Sequence, residues 1–349
     1  MNDLSGKPQI MKKVNNALIK RVLKDKGSAT KTEISSSTGI STTTVRTLIE
    51  ELLKDKEIVS LGFDNSSGGR RAERYALNLK ENLLLSFYIE EDIIHYVIAN
   101  PLGDIIEKNV ARFERKEYKN SLDKFINNIT RNNNIGIIGM GVPGVVDKGN
   151  YFSGNKLNNW EKIDIGDYIE EKSGIPVILE NDLNAIALGF SLNYINRIKT
   201  IDMSRLNLIY VHFSKVGVGA GIIANGNLIR GENNFAGELG FMPIGKGGHL
   251  LNMLSGDLED KEYADVVGRV IAILNCIINP AFIVVGGDAL RRNLIDEINE
   301  ASKNYVANNI IPKVIVSEDS SKDYLDGMLY LTSEFMNAGI KLVKNGISI

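Results

Sequence analysis

Cysteine is nearly absent: Cys276 is the only one in 349 residues, so no disulfide can form within the chain. Lying in the apolar run Val270 to Ile278, it is expected in the core rather than as a nucleophile. The three histidines, His95, His212 and His249, are scattered without the paired spacing of a metal site. No apolar run approaches the roughly 20 residues that a membrane helix needs, and the first residues, MNDLSGKPQI, lack the apolar core of a signal peptide. With 43% apolar and 24% charged residues, the composition is that of a folded soluble protein, read as cytoplasmic and as having no membrane partner.

The formal charge of -2 conceals an asymmetry. Residues 1–80 carry 15 Lys/Arg against 9 Asp/Glu, and the remainder 26 against 34. A basic head on an acidic body points to a polyanion as the head's partner. Three helices fit the head. The first runs from Val14 to Lys26, with Val14, Ala17, Leu18 and Val22 at helical spacing. The second, Thr30 to Thr38, carries the capping-box pair Thr30 and Glu33. After a turn at Gly39, Ser41 caps a third helix reaching about Asp55. Its apolar stripe is Val45, Leu48, Ile49, Leu52 and Leu53, which leaves Thr42, Thr43, Arg46, Thr47 and Glu50 on the open face. A helix, a glycine turn and a longer helix bearing hydroxyls and an arginine make a helix-turn-helix, whose second helix enters the major groove. The strand from Ile58 to Leu61, the loop Gly62 to Gly69 and the returning arm from Arg70 to Leu77 form a basic wing. Arg70, Arg71 and Arg74 are its expected contacts to phosphate or the minor groove. The same fold also serves protein interaction, and the ordered set favours DNA.

The body, residues 81–349, is organised around IPVILENDLNAIALGF, residues 175–190. Val177-Ile178-Leu179 reads as a short buried strand and Leu183 to Leu188 as a helix. Glu180, Asn181 and Asp182 stand between them, at the strand's carboxyl end, where open α/β sheets bind small ligands. The alternative is that Asn181 or Asp182 simply caps the helix. Further strands fit Leu83 to Ile89, Ile93 to Ala99, Ile135 to Gly141, Leu206 to Phe213 and Ala281 to Val285, with a helix over Ser121 to Thr130 and a hairpin at Asn225-Gly226.

Together GVPGVVD (141–147), Trp160, IPVILENDLNAIALG (175–189), GVGAGIIANGNLIRGENNFAGELG (217–240), GDLE (256–259) and NPAFIVVGGDAL (279–290) resemble the ROK family of repressors and sugar kinases. The resemblance implies an α/β chain: an N-terminal winged helix-turn-helix over residues 1–80, and an actin-like or hexokinase-like (ribonuclease H-like) body over 81–349. Its two lobes are roughly 81–185 with 322–349, and 186–321, with a sugar cleft between them. It further implies that Asn181 and Asp182 bind sugar hydroxyls, with Asp182 in the place of the family's catalytic base, and that Gly141, Gly144, Glu238 and Glu259 belong to the same pocket. Carboxylates and an amide suit a ligand with many hydroxyls, because each accepts directional bonds.

Three departures from the family pattern bear on function. The first phosphate loop falls on Tyr88, Glu90, Glu91 and Asp92, three carboxylates where glycines cradle phosphate. The second reads Lys215-Val216-Gly217 and lacks its hydroxyl. At the family's zinc site Phe241 replaces the histidine, and Leu250, Asn252 and Asp257 replace the three cysteines, leaving His249 alone. Neither ATP nor zinc is therefore expected as a cofactor, and Asp182 is expected to be a vestigial base. Phe241 either stacks on a sugar face or plugs the pocket. The chain reads as a sugar-responsive transcriptional regulator, usually a repressor in this family, of carbohydrate metabolism genes. Its expected partners are double-stranded operator DNA, a sugar or sugar-phosphate effector and a second copy of itself. The alternatives are an active ATP-dependent sugar kinase with a DNA-binding head, and a regulator answering to a protein partner.

Overall fold

In the computed structural model, residues 8–64, 71–154, 160–199, 202–215, 217–244 and 248–338 are described, together with two short strands near the C-terminus. The head is α1 (Pro8–Lys26), β1 (Ala29–Thr30), α2 (Lys31–Thr38), α3 (Thr42–Lys54), β2 (Ile58–Phe63) and β3 (Glu73–Leu77). Helix α2 starts where its capping box predicts: Thr30 Oγ1 accepts from Glu33 N, and the Glu33 carboxylate accepts from Thr30 N at 2.7 Å. Gly39 ends it in the left-handed conformation (φ 73) that glycine adopts without steric cost. Ser41 caps α3, whose Val45, Leu48, Ile49 and Leu52 are buried against Ile19, Leu23, Ile34, Ile58 and Tyr75. The three strands order β1-β3-β2, so β3 is central.

The body contains two five-stranded sheets of the same topology. The first comprises β4 (Leu83–Glu90), β5 (Ile93–Ala99), β6 (Ile105–Arg112), β7 (Ile135–Val142) and, beyond the small sheet β8 (Val145–Asp147), β9 (Asn150–Ser153) and β10 (Glu161–Ile163), the edge strand β11 (Val177–Asn181). Helices α4 (Tyr118–Asn132) and α5 (Ile165–Ser173) cover its outer face. After α6 (Asp182–Ile198), the second sheet uses β12 (Leu208–Phe213), β13 (Val218–Ala224), β14 (Asn227–Leu228), β15 (Phe282–Gly286) and β16 (Lys313–Val316). Its outer face is covered by α7 (Leu250–Leu254), α8 (Asp260–Ile278) and α9 (Ile295–Ser302). In each sheet three antiparallel strands are followed by two parallel ones, in the orders β6-β5-β4-β7-β11 and β14-β13-β12-β15-β16. Helices α6 and α10 (Ser320–Ala338) lie between the sheets. Their core joins Leu84, Val97 and Ile137 of the first sheet to Leu208, Ile223 and Val284 of the second.

This close layering explains several glycines. A Cβ at Gly139 would overlap Thr332 Oγ1, and one at Gly141 would overlap the Tyr324 ring, so β7 must be bare where α10 crosses it. Strand β13 is bare for the same reason: a Cβ at Gly221 would overlap Leu183 O. Much of the glycine-rich stretch before residue 222 is therefore a strand that admits the first turn of α6.

One expectation is corrected here. Cys276 is exposed, because the buried face of α8 carries Tyr263, Val266, Val267, Val270, Ile271 and Leu274, and Cys276 lies two turns on from the exposed Arg269 on the other side of the helix; Ile277, 70% exposed, follows the buried face into the last turn. Strand β6 and the extension of α6 to Ile198 also exceed what the residue pattern indicated.

Candidate functional site

Strand β11 ends and α6 begins within the triplet Glu180, Asn181, Asp182. Asn181 is the helix cap: its side-chain oxygen accepts from Asn184 N at 3.0 Å, and its amide nitrogen donates to Gly144 O at 3.0 Å. The capping alternative thus holds for Asn181, and it ties the triplet to the corner at Gly144 (φ +101), where a Cβ would overlap Phe152 O. Glu180 is 7% exposed. Its Oε2 accepts from the Arg230 guanidinium at 2.5 and 3.2 Å, and its Oε1 from Asn184 Nδ2 at 3.0 Å.

Asp182 occupies the first turn of α6, where Oδ1 accepts from Leu183 N at 2.8 Å. Burial pushes its carboxyl up to about 7, the Leu183 bond opposes that, and the nearby Glu238 carboxylate adds to it. Glu238 is itself raised by burial. The two acids form one weakly solvated pair with no cation among the causes of either shift. The Tyr324 ring packs against Gly141 beside them, and its hydroxyl is raised by burial and by the Asp182 charge.

Among the described residues, three side-chain contacts cross the cleft. Arg230, just after β14, reaches Glu180 of β11. Asn234 Nδ2 donates to Val146 O of β8 at 2.8 Å. Trp160 lies 5.4 Å from Phe241 and 6.1 Å from Phe235, with those two rings 5.8 Å apart. Phe241 is thus one wall of an aromatic trio spanning the cleft. Glu259 behaves otherwise: it is exposed and caps α8, sharing a capping box with Glu262, and is not drawn into the Asp182 group. A groove of about 1040 Å³ runs along the free edge of β11, lined by Ile178, Glu180, Asn181, Arg230 and Asn234, but not by Asp182 or Glu238.

The positions of the family's cofactor groups do not fit those groups. Glu90 of β4 opposes Ile93 of β5, so Glu91 and Asp92 make a two-residue turn, with Glu91 at φ 50. Tyr88 is stacked between His95 (4.9 Å) and Tyr324 (4.0 Å), filling the corner with rings. In the second loop Gly217 N donates to Ser214 Oγ at 3.1 Å, which spends that amide internally; Val216 lies outside the described residues. At the zinc positions Leu250 is fully buried in apolar core, and His249 Nδ1 lies 3.1 Å from Phe241 O.

In the head, Thr42, Thr43, Arg46 and Thr47 are exposed together on the N-terminal half of α3, with Arg46 Nε 3.1 Å from Glu50. Arg71 is exposed, and Arg70 lies outside the described residues. Arg74 departs from expectation. Its place on the central strand, opposite Thr30, turns its guanidinium inward to Asp64 (2.9 and 3.1 Å) and Glu33 (3.3 Å). Asp64 is held below its ordinary value by Arg74, and Glu33 by the Thr30 amide first and then by Arg74. Arg74 braces wing to capping box, so Arg74→Ala is expected to lower the head's melting temperature, read by circular dichroism, instead of merely weakening an outward contact.

Fold and site define a class: a head of three helices and a three-stranded sheet on a hexokinase-like body of two five-stranded sheets, with two acids in its cleft. Residues 106–252 match the ROK family, and the chain carries a ROK family domain. It is 30% identical over 243 residues to the xylose repressor of Bacillus spizizenii, covering 67% of this chain and 61% of that protein. It is also 34% identical over 136 residues to a glucokinase of Halalkalibacterium halodurans, 38% of this chain and 39% of that one. The chain thus spans about 61% of the length of the xylose repressor it matches. Among solved structures, a ROK family transcriptional regulator, homolog of the E. coli MLC protein, superposes with TM-score 0.63 at 16% identity, covering 95% of this chain and 99% of that one. A ROK hexokinase from Thermus thermophilus superposes with TM-score 0.58 at 19% identity, covering 73% and 99%. At such identities these two likenesses speak to fold alone.

Proposed function

We propose that the protein is a sugar-responsive transcriptional regulator, a repressor of carbohydrate metabolism genes, whose kinase-like body is a sensor. The observation that carries this reading is the pairing, on one chain, of an exposed Thr42-Thr43-Arg46-Thr47 face with a cleft whose phosphate corner is filled by the His95-Tyr88-Tyr324 stack. The relatives named xylose repressors support it. The α3 face enters a major groove, the wing with Arg70 and Arg71 lies on the backbone, and a homodimer presents two heads to a palindromic site. In the cleft, Asp182 and Glu238 accept sugar hydroxyls, Asn181, Gly141 and Gly144 shape the corner, and the Phe241 ring, held by Trp160, presents an apolar face to the sugar. Glu259 has no part in that pocket in the arrangement described.

Arg46→Ala is expected to relax base preference at one position of each half-site, by about 1–3 kcal/mol of lost discrimination, whereas Arg71→Ala weakens binding to all sequences and flattens the salt dependence. Competition binding against a panel of mutated sites checks both. A thermal-shift panel of pentoses, hexoses, their phosphates and Mg-ATP tests the sensor, since a ligand that binds only the folded state raises the melting temperature. A neutral sugar is expected to raise it and Mg-ATP to leave it unchanged.

One observation favours a second reading. A carboxyl pushed up to about 7 is poised as a general base, as an active sugar kinase requires, and a shift with Mg-ATP together with turnover of a sugar would establish that reading instead.

A further inference from the structure

Among the described residues, the head meets the sensor at α10 and at the β5–β6 hairpin. Helix α1 packs on α10, and Leu102, at the tip of the β5–β6 hairpin, packs against the head's core of Ile19, Ile34, Leu52 and Tyr75. That tip is rigid. Asn100, 8% exposed, accepts with Oδ1 from Leu102 N (2.9 Å) and Asp104 N (3.1 Å), while Gly103 N donates to Asn100 O at 2.9 Å. These bonds couple Leu102 to the end of β5 and so to the first sheet.

The other end of the chain of contacts is the cleft. Helix α6 begins at Asp182 and crosses α10 with the backbones touching: a Cβ on Gly189 would overlap Asp323 O, and one on Gly327 would overlap Ala185 O. Asn193 Nδ2 locks the same crossing to Asp323 (3.0 Å) and Asp326 (2.9 Å). Further along α10, Thr332 bonds Ser86 of β4 and fills the space over Gly139. A shift of α6 has no side-chain cushion to absorb it at the Gly189–Gly327 crossing, so α10 moves as a unit and carries the surface on which α1 rests.

We propose that the α6–α10 pair relays the occupancy of the Asp182 cleft to the head, and that Leu102 is the positioning residue that fixes the head's orientation against the first sheet. This rests on the sensor reading above. It predicts that loss of the Leu102 contact leaves both binding sites intact and removes their linkage, which thermodynamics requires to be reciprocal.

The test uses the full chain with D-xylose as probe and a duplex recovered by selection from random DNA. Thermal shift reports sugar binding, and anisotropy reports DNA binding with and without sugar. Wild type is expected to lose roughly 5- to 150-fold in DNA affinity with sugar. Leu102→Ala is expected to keep the thermal shift and respond less than about 2-fold, and the volume-conserving Leu102→Met to behave as wild type. A Leu102→Ala protein as responsive as wild type overturns the relay alone. A wild type that binds sugar and DNA independently overturns the sensor reading and the relay with it. Hydrogen exchange on wild type avoids any folding defect: sugar is expected to change exchange at the Leu102 and Asp104 amides, and unchanged rates there overturn the relay.

Discussion

Arg230→Met is expected to destabilise the body by roughly 2 kcal/mol and to weaken ligand binding. Breaking a buried ion pair costs about 3–5 kcal/mol because a charge is left without its partner, and that range is discounted because the Arg230 side chain keeps 38% of its surface exposed. Glu180 keeps only 9%, so the uncompensated charge is the carboxylate, held between Asn184 and the start of α6. For a unit of this size about 2 kcal/mol corresponds to a fall of roughly 4–8 °C in melting temperature. The pair also links the sheets, from the hairpin of β14 to the edge of β11, so its loss removes one of the side-chain contacts that cross the cleft among the described residues. The double variant Arg230→Met with Glu180→Gln is expected to regain most of the stability, since the orphaned charge is gone, while ligand affinity stays low. A double variant no more stable than Arg230→Met would show that packing, not charge, sets the cost.

Asp182→Asn is expected to do the opposite for stability while abolishing sugar binding. The carboxyl titrates near 3.8 when unfolded and is pushed up to about 7 by burial in the fold. Between those values the folded state holds more protons than the unfolded one, so wild type loses stability as pH rises from about 4 to about 7 and regains none above it. Each unit is worth about 1.4 kcal/mol, giving a ceiling of about 4 kcal/mol; with part of the residue open to the cleft, a gain of roughly 2 kcal/mol for the amide at pH 8 is expected. Glu238 is raised in the same direction, so the variant keeps a shallower slope. Urea denaturation of both proteins at pH 5 and pH 8 measures this. Equal stability differences at the two pH values would contradict the buried-acid account of the cleft.

Local chemistry was the part of this molecule that could be read from the residues. Thr30 with Glu33, Gly39, and Ser41 fix α2 and α3 because a cap and its partner lie within a few positions of each other. Asn181 at the junction of β11 and α6 follows from the same logic. What escaped depends on partners far apart in sequence. Arg74 has the composition of a DNA contact and becomes a brace because Asp64 and Glu33 converge on it. Arg230 stands five residues after the Asn225 turn, and nothing local announces Glu180, 50 residues away, as its partner. Tyr324 arrives at Tyr88 and Gly141 through a crossing of α10 that no periodicity specifies. Cys276 shows the limit of composition: an apolar run within a helix longer than its buried face includes positions that point to water.

Binding of the full chain to a selected palindromic duplex, followed by fluorescence anisotropy as a neutral sugar is titrated in, tests the central claim most directly. Tight, salt-sensitive binding that weakens as the sugar saturates is the expected result. Absence of DNA binding, or DNA binding indifferent to every sugar that raises the melting temperature, would contradict it.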